Sequence, residues 1–181
     1  LLLPFFTPKA VETYRPHTEA LCNELIDGFI DKGACDAAVD YAQQITPRVI
    51  SRILGVDPNQ SDEFVGWVRG LIELGFDNPE MRAENHKHLV IFFSEQLELR
   101  RENPTDDLIS LLANQTVNGE PIADKTIVKM CVLTLAAGID TTWSSIGSSM
   151  LHFATHPEDR RRLVREPELF ATAIEEMLRL H

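Results

Sequence analysis

Paired cysteines are missing from this chain of 181 residues: Cys22, Cys35 and Cys131 form no C-x-x-C motif and sit in apolar or helical contexts. That argues against both a disulfide framework and a thiolate zinc site. Basic charge is also scarce, with 17 Lys and Arg against 28 Asp and Glu and a formal net charge of -11. Binding a phosphate backbone needs clustered cations that displace counterions, so nucleic acid is not an expected partner. The apolar opening Leu1 to Phe6 is too short, and too interrupted by Pro4, to span a bilayer, and no signal-peptide pattern precedes it. No membrane is implied, and the default location is cytoplasmic. Repeats and low-complexity segments are absent. A starting Met is absent too, and no Gly or Asn caps the helical pattern that runs into His181, so the chain reads as a piece of something longer.

What is present is globular composition, 44% hydrophobic and 25% charged. Proline recurs where helices should begin, because its fixed φ and missing N–H suit the first helical position. Thr7-Pro8, Asp57-Pro58, Asn78-Pro79, Asn103-Pro104, His156-Pro157 and Glu166-Pro167 are the good signals; Arg15-Pro16 and Thr46-Pro47 are weaker. The segments that follow carry apolar residues at helical spacing, such as Leu21, Leu25 and Phe29, or Leu89, Phe92, Phe93 and Leu97. Roughly nine helices are expected. Strand signals are few: a short hairpin between Thr116 and Ile122 around Asn118-Gly119, and one strand near Cys35 to Tyr41. The expected fold class is mainly α, irregular rather than a bundle, as one partial domain over residues 1–181.

The segment Asp124 to Thr155 stands apart. It is apolar on nearly every side from Ile127 to Ile139 and should be a central helix. Its second half then places Asp140, Thr141, Thr142, Ser144 and Ser145 in that element, where polar groups cost free energy unless satisfied. Ala137-Gly138 removes side-chain bulk just before them, so backbone there could approach a large flat ligand. The Thr141 hydroxyl can donate to the carbonyl of Ala137, four residues back. The plain alternative is that Thr141 only back-bonds and Asp140 reaches solvent. Glu176 and Arg179, spaced i to i+3, share one helix face and can pair.

A-G-I-D-T-T at Ala137 to Thr142, H-P-E-D-R-R-R-L at His156 to Leu163 and E-E-M-L-R at Glu175 to Arg179 resemble, in order and spacing, the cytochrome P-450 family of the soluble bacterial type. Leu1 to Val11, I-L-G-V-D at Ile53 to Asp57 and N-P-T-D-D-L-I-S-L-L at Asn103 to Leu112 are similar to family segments too. The resemblance covers the whole chain, from within helix C to within helix K. It implies the P-450 fold with a long central I helix and haem b (iron protoporphyrin IX) as cofactor. It also implies a monooxygenase that activates O2 and inserts oxygen into an apolar small molecule, with electrons passed from NAD(P)H through a reductase and a ferredoxin or flavodoxin. By the same resemblance Asp140 and Thr141 are the catalytic acid and alcohol, and Ala137 and Gly138 lie against the porphyrin. Leu133 and Ala136 face substrate, while Glu176 and Arg179 form a structural pair.

The family's F-x-x-G-x-x-x-C haem loop is not in the chain, so the thiolate ligand is expected beyond His181 and the fragment alone is expected to be inactive. Cys131 reads as a small core residue. Other features are weaker. His152 and His156 have zinc-helix spacing but no Glu between them, and Asp106-Asp107 reads as helix N-terminal charge. Arg160, Arg161, Arg162 and Arg165 could meet an acidic electron carrier, or simply be a solvated face. The rival reading is a non-enzymatic helical module that binds a ligand or partner.

Overall fold

Short polar side chains and prolines open most of the helices, as the computed structural model, which describes residues 1–180, makes visible. α1 (Pro8–Ile30) starts where Thr7 Oγ1 accepts from the amide of Ala10 at 3.3 Å and Pro8 takes the first position. A π-helical segment, Ala37–Ala42, then runs directly into α2 (Gln43–Leu54). Pro58 opens a 3-10 turn that leads into α3 (Ser61–Ile72). α4 (Pro79–Glu102) is capped by Asn78, whose side-chain oxygen accepts from Met81 at 3.1 Å. α5 (Leu108–Asn114) is capped by Asp107, which accepts from the amide of Ser110 at 2.7 Å. The strands β1 (Thr116–Val117) and β2 (Glu120–Pro121) follow, then the long α6 (Asp124–Thr155). α7 (Pro157–Arg165) comes next, and a 3-10 turn opened by Pro167 leads into α8 (Phe170–Leu180).

The hairpin forms where Asn118-Gly119 marks it. Both residues have positive φ, 55° and 86°, as a two-residue turn matched to strand twist requires. β1 and β2 pair antiparallel, with Thr116 opposite Pro121.

Several local expectations are corrected. Cys35 to Tyr41 is not a strand, because the Asp36 carboxylate accepts from the amides of Ala38 and Val39 at 3.0 and 3.1 Å and starts helical winding there. That early start puts Pro47 inside α2, and the Thr7 cap likewise puts Pro16 inside α1, so neither opens a helix. Pro104 opens none either. It holds Asn103 at φ -133° and ψ 81°, which ends α4, and the next helix waits for the Asp107 cap. The continuation expected at His181 lies outside the described residues.

α6 is the axis of the core, with α2, α3, α4 and α5 packed around one side of it. Phe64, Leu89, Phe93, Ile109, Leu112, Ile127, Leu135 and Ile139 are almost wholly buried there. Phe92 meets Phe64 and Phe93 edge to face, at 5.1 and 5.2 Å between ring centres. One buried ion pair ties the layers: Arg100 Nε bonds Asp107 Oδ2 at 2.8 Å, and Arg100 Nη2 also donates to the carbonyl of Gly55. Gly55 ends α2 at φ 82°, and a Cβ there would fall 2.2 Å from Asp107 Oδ2. α7 and α8 each pack on α6 and on the 3-10 turn that joins them, and α8 buries none of its residues. Among the described residues, no helix is long and apolar enough to cross a membrane.

Candidate functional site

α6 has one face turned into the core and one left open. Ile127, Cys131, Leu135, Ile139 and Trp143 point inward, at successive spacings of four, while Leu133, Ala137 and Thr141 fall on the opposite side and are exposed. The sequence marks this helix as apolar on nearly all sides; the fold covers only part of it.

Thr141 Oγ1 donates to the carbonyl of Ala137 at 2.8 Å, the back-bond its position allows. Thr134 and Ser149 bond back to Met130 and Ser145 in the same way, so the bond does not set Thr141 apart. Its placement does. With the hydroxyl hydrogen committed to Ala137, the oxygen keeps acceptor capacity on the open face. Asp140 comes about 100° around the helix from Thr141 and is half-buried at the edge between covered and open sides.

Gly138 does not face that strip. A Cβ placed on it would sit 2.7 Å from Ile50 Cγ1, so the space vacated by its side chain is filled by α2. Its small size serves helix packing, and Ala137 alone of the two presents a low surface to a ligand. The buried Thr46 adds a second contact between these helices, donating to the carbonyl of Ile139 at 3.2 Å. In the sequence Thr46 stands out only as part of a helix-start signal, since a bond spanning so much sequence leaves no local trace.

Two grooves flank the strip. Leu133 and Ala136 line one of about 530 Å³, together with Val132, with Leu71 and Ile72 at the end of α3 and with Phe76 in the turn after it. Thr141 and Thr142 line the other, of about 860 Å³, between the second half of α6 and α8. Tyr41 closes part of this second groove. Burial pushes its hydroxyl up to about 12, with a hydrogen bond to Cys22 adding to the shift. A strand over Cys35 to Tyr41, as the sequence suggests, would give Tyr41 no place at this groove; the π-helical winding of Ala37–Ala42 does.

A flat ligand lying over Ala137 and reaching both grooves fits these residues. None of the cysteines is placed to meet it. Cys131 faces the core on the opposite side of α6, where burial pushes its thiol up to about 12; Cys22 is on α1 and Cys35 on the loop after it. Glu176 and Arg179 do pair on α8, bidentate at 2.9 and 2.5 Å, and exposed. The other candidates stay apart from the strip. His152 bonds Asp159 at 3.0 Å and stacks on His156, and among the described residues no group of His, Cys, Asp and Glu could hold a metal ion. Asp106-Asp107 is resolved into an exposed residue and a buried cap.

Known proteins resemble this chain in sequence and fold. A family model described as Cytochrome P450 matches residues 69–173. The polyketide biosynthesis cytochrome P450 PksS of Bacillus subtilis is 29% identical over 96% of this chain and 43% of its own length. A steroid C26-monooxygenase of Mycobacterium tuberculosis is 33% identical over 96% of this chain and 48% of its own. The solved structure of the Bacillus subtilis bacillaene polyketide synthase P450 PksS superposes with a TM-score of 0.90 at 28% identity, covering 97% of this chain and 45% of that one. The chain thus spans less than half the length of the curated relatives it matches.

Proposed function

Because the chain belongs to the cytochrome P450 family, we propose that the complete protein is a haem-dependent monooxygenase acting on an apolar small molecule, and that these residues form the distal wall of its active site. The observation that carries this reading is the open strip of α6, where Leu133, Ala137 and Thr141 lie in line beside Asp140. Haem b, bound over Ala137, would supply O2 binding and reductive O–O cleavage.

The chain's own residues would do the rest. Ala137 sets how closely a flat ligand approaches the helix. Leu133 and Ala136 hold an apolar substrate in the adjoining groove and keep bulk water out. One oxygen atom enters the substrate and the other leaves as water, so protons must reach a site that otherwise excludes solvent. Thr141, donating to Ala137, accepts a hydrogen bond from a water on the open face and fixes where the last proton is delivered. Asp140, at the edge of that face, passes protons inward from the surface by turning its carboxyl. Glu176 and Arg179 act structurally, holding α8 for partners outside the chain. Electrons come from NAD(P)H through a reductase and a ferredoxin or flavodoxin.

The test is Thr141→Ala in the complete protein. Folding and substrate binding should persist, while product per NAD(P)H falls and peroxide rises. A fully coupled variant removes Thr141 from the mechanism. Independently, the reading frame past His181 should encode Phe-x-x-Gly-x-x-x-Cys within about a hundred residues; its absence sinks the haem-thiolate assignment.

A further inference from the structure

The groove beside Leu133 and Ala136 is not apolar throughout. Arg82 and His86, one turn apart on α4, and Lys129, one turn before Leu133 on α6, line it as well, and no carboxylate does. In a chain with a net charge of -11, three exposed basic side chains line this groove with no acid among its lining residues, while His86 and Lys129 also border a neighbouring groove that holds Glu98 and Asp124. Their heads are not committed elsewhere: among the described residues, the ion pairs engage other cations. Glu73, the acid directly beyond Ile72, is held by Arg69 through two bonds of 2.8 and 3.1 Å. The root of Arg82 is fixed, because the buried Gly75 packs against it so closely that a Cβ on the glycine would sit 3.0 Å from Arg82 Cβ.

Arg82 and Lys129, as cations at the rim of an apolar groove, focus a positive potential into it and favour an anion that can be partly desolvated there, with a ring N–H of His86 as a further donor. The planar guanidinium of Arg82 suits a carboxylate in particular, since it can bond both oxygens at once. A neutral apolar ligand would gain nothing from these groups and would have to desolvate them. We infer that the substrate is an amphipathic acid: its carboxylate sits at Arg82, His86 and Lys129, and its apolar body runs along Leu133 and Ala136. Lys129 and Thr141 are twelve residues apart on one helix, about 18 Å along its axis, so the reacting carbon lies toward the far end of the chain from the acid. The position of that carbon rests on the monooxygenase reading; the binding of the acid does not.

The experiment uses the complete protein loaded with haem, and titrates dodecanoic acid, methyl dodecanoate and dodecanol by calorimetry. The acid should bind about tenfold tighter than the ester or the alcohol, and the preference should shrink as salt rises from about 0.05 to 0.5 M. Arg82→Gln combined with Lys129→Gln should abolish the preference while leaving affinity for the ester intact, and Arg82→Lys should keep most of it. Equal binding of acid and ester by the wild type, or a preference that survives the double substitution, overturns the inference. Calorimetry does not depend on the iron. A protein that prefers the acid but gives no red-shifted thiolate Soret band under carbon monoxide upholds this inference and overturns the monooxygenase reading. One that gives the band but binds acid and ester alike does the reverse.

Discussion

Asp140 and Cys131 lie on one helix, and the fold turns them to different sides of it. Asp140 sits at the rim of the open strip, so its carboxyl can reach both solvent and site. Asp140→Asn keeps the shape but cannot cycle through a carboxylate, so turnover should slow with little change in substrate affinity. The solvent isotope effect on turnover should rise above that of the wild type; unchanged turnover and isotope effect would assign proton delivery to another group. Cys131 is 1% exposed, and burial pushes its thiol up to about 12. Almost none of it is thiolate at pH 8, and reagent cannot reach it. Brief iodoacetamide treatment of the native protein should therefore alkylate the exposed Cys35 and spare Cys131, as read by peptide mass spectrometry. Rapid labelling of Cys131 would mean that α6 opens locally.

At the scale of elements, the junction of α2, α4 and α5 depends on one carboxylate. Burial raises the Asp107 pKa, but hydrogen bonds from Thr105, Arg100 and Ser110 outweigh it and leave Asp107 below the ordinary aspartate value. A group depressed in the folded state contributes stability above its unfolded pKa, about 3.9, and loses it as pH falls through the folded value. The contribution is complete at neutral pH and fades below about pH 4. Asp107→Asn leaves Arg100 buried without its charge partner and should cost about 3 kcal/mol at pH 7. Melting at pH 7 and pH 3 checks this, since the gap between wild type and variant should narrow in acid. A constant gap would show that the carboxylate charge is not what stabilises the junction. Nearby, α2 meets α6 through Ile50 on Gly138 and Thr46 on Ile139, so the same packing that stabilises the core also holds the backbone just before Asp140.

At the scale of the molecule, α6 and α8 leave large apolar side chains exposed. Leu133 and Leu151 on α6 and Phe170, Ile174 and Leu178 on α8 are all half or more exposed, and several line the grooves on either side of the strip. Apolar surface of that extent drives association in water. The 181 residues expressed alone with haem supplied should elute as aggregates or loosely packed oligomers in light scattering, and give no thiolate-type Soret band under carbon monoxide. A monomer that melts cooperatively and gives that band would overturn both the exclusion of Cys22, Cys35 and Cys131 as ligands and the need for further chain.

The helical class, the hairpin at Asn118-Gly119, the long helix from Asp124 to Thr155 and the order of its acid and alcohol were all determined by the sequence, because caps, turn residues and periodicity act over a few residues. Periodicity tells which residues share a face, not which face another element will cover. That is why packing alone put Cys131 inside, turned Gly138 onto Ile50, left Ala137 and Thr141 open, and drew Arg82, His86 and Lys129 to one groove from distant parts of the chain. The turn at Asp36 followed a related rule: the carboxylate, by accepting two amides, outweighed the strand preference of Val39 and Tyr41.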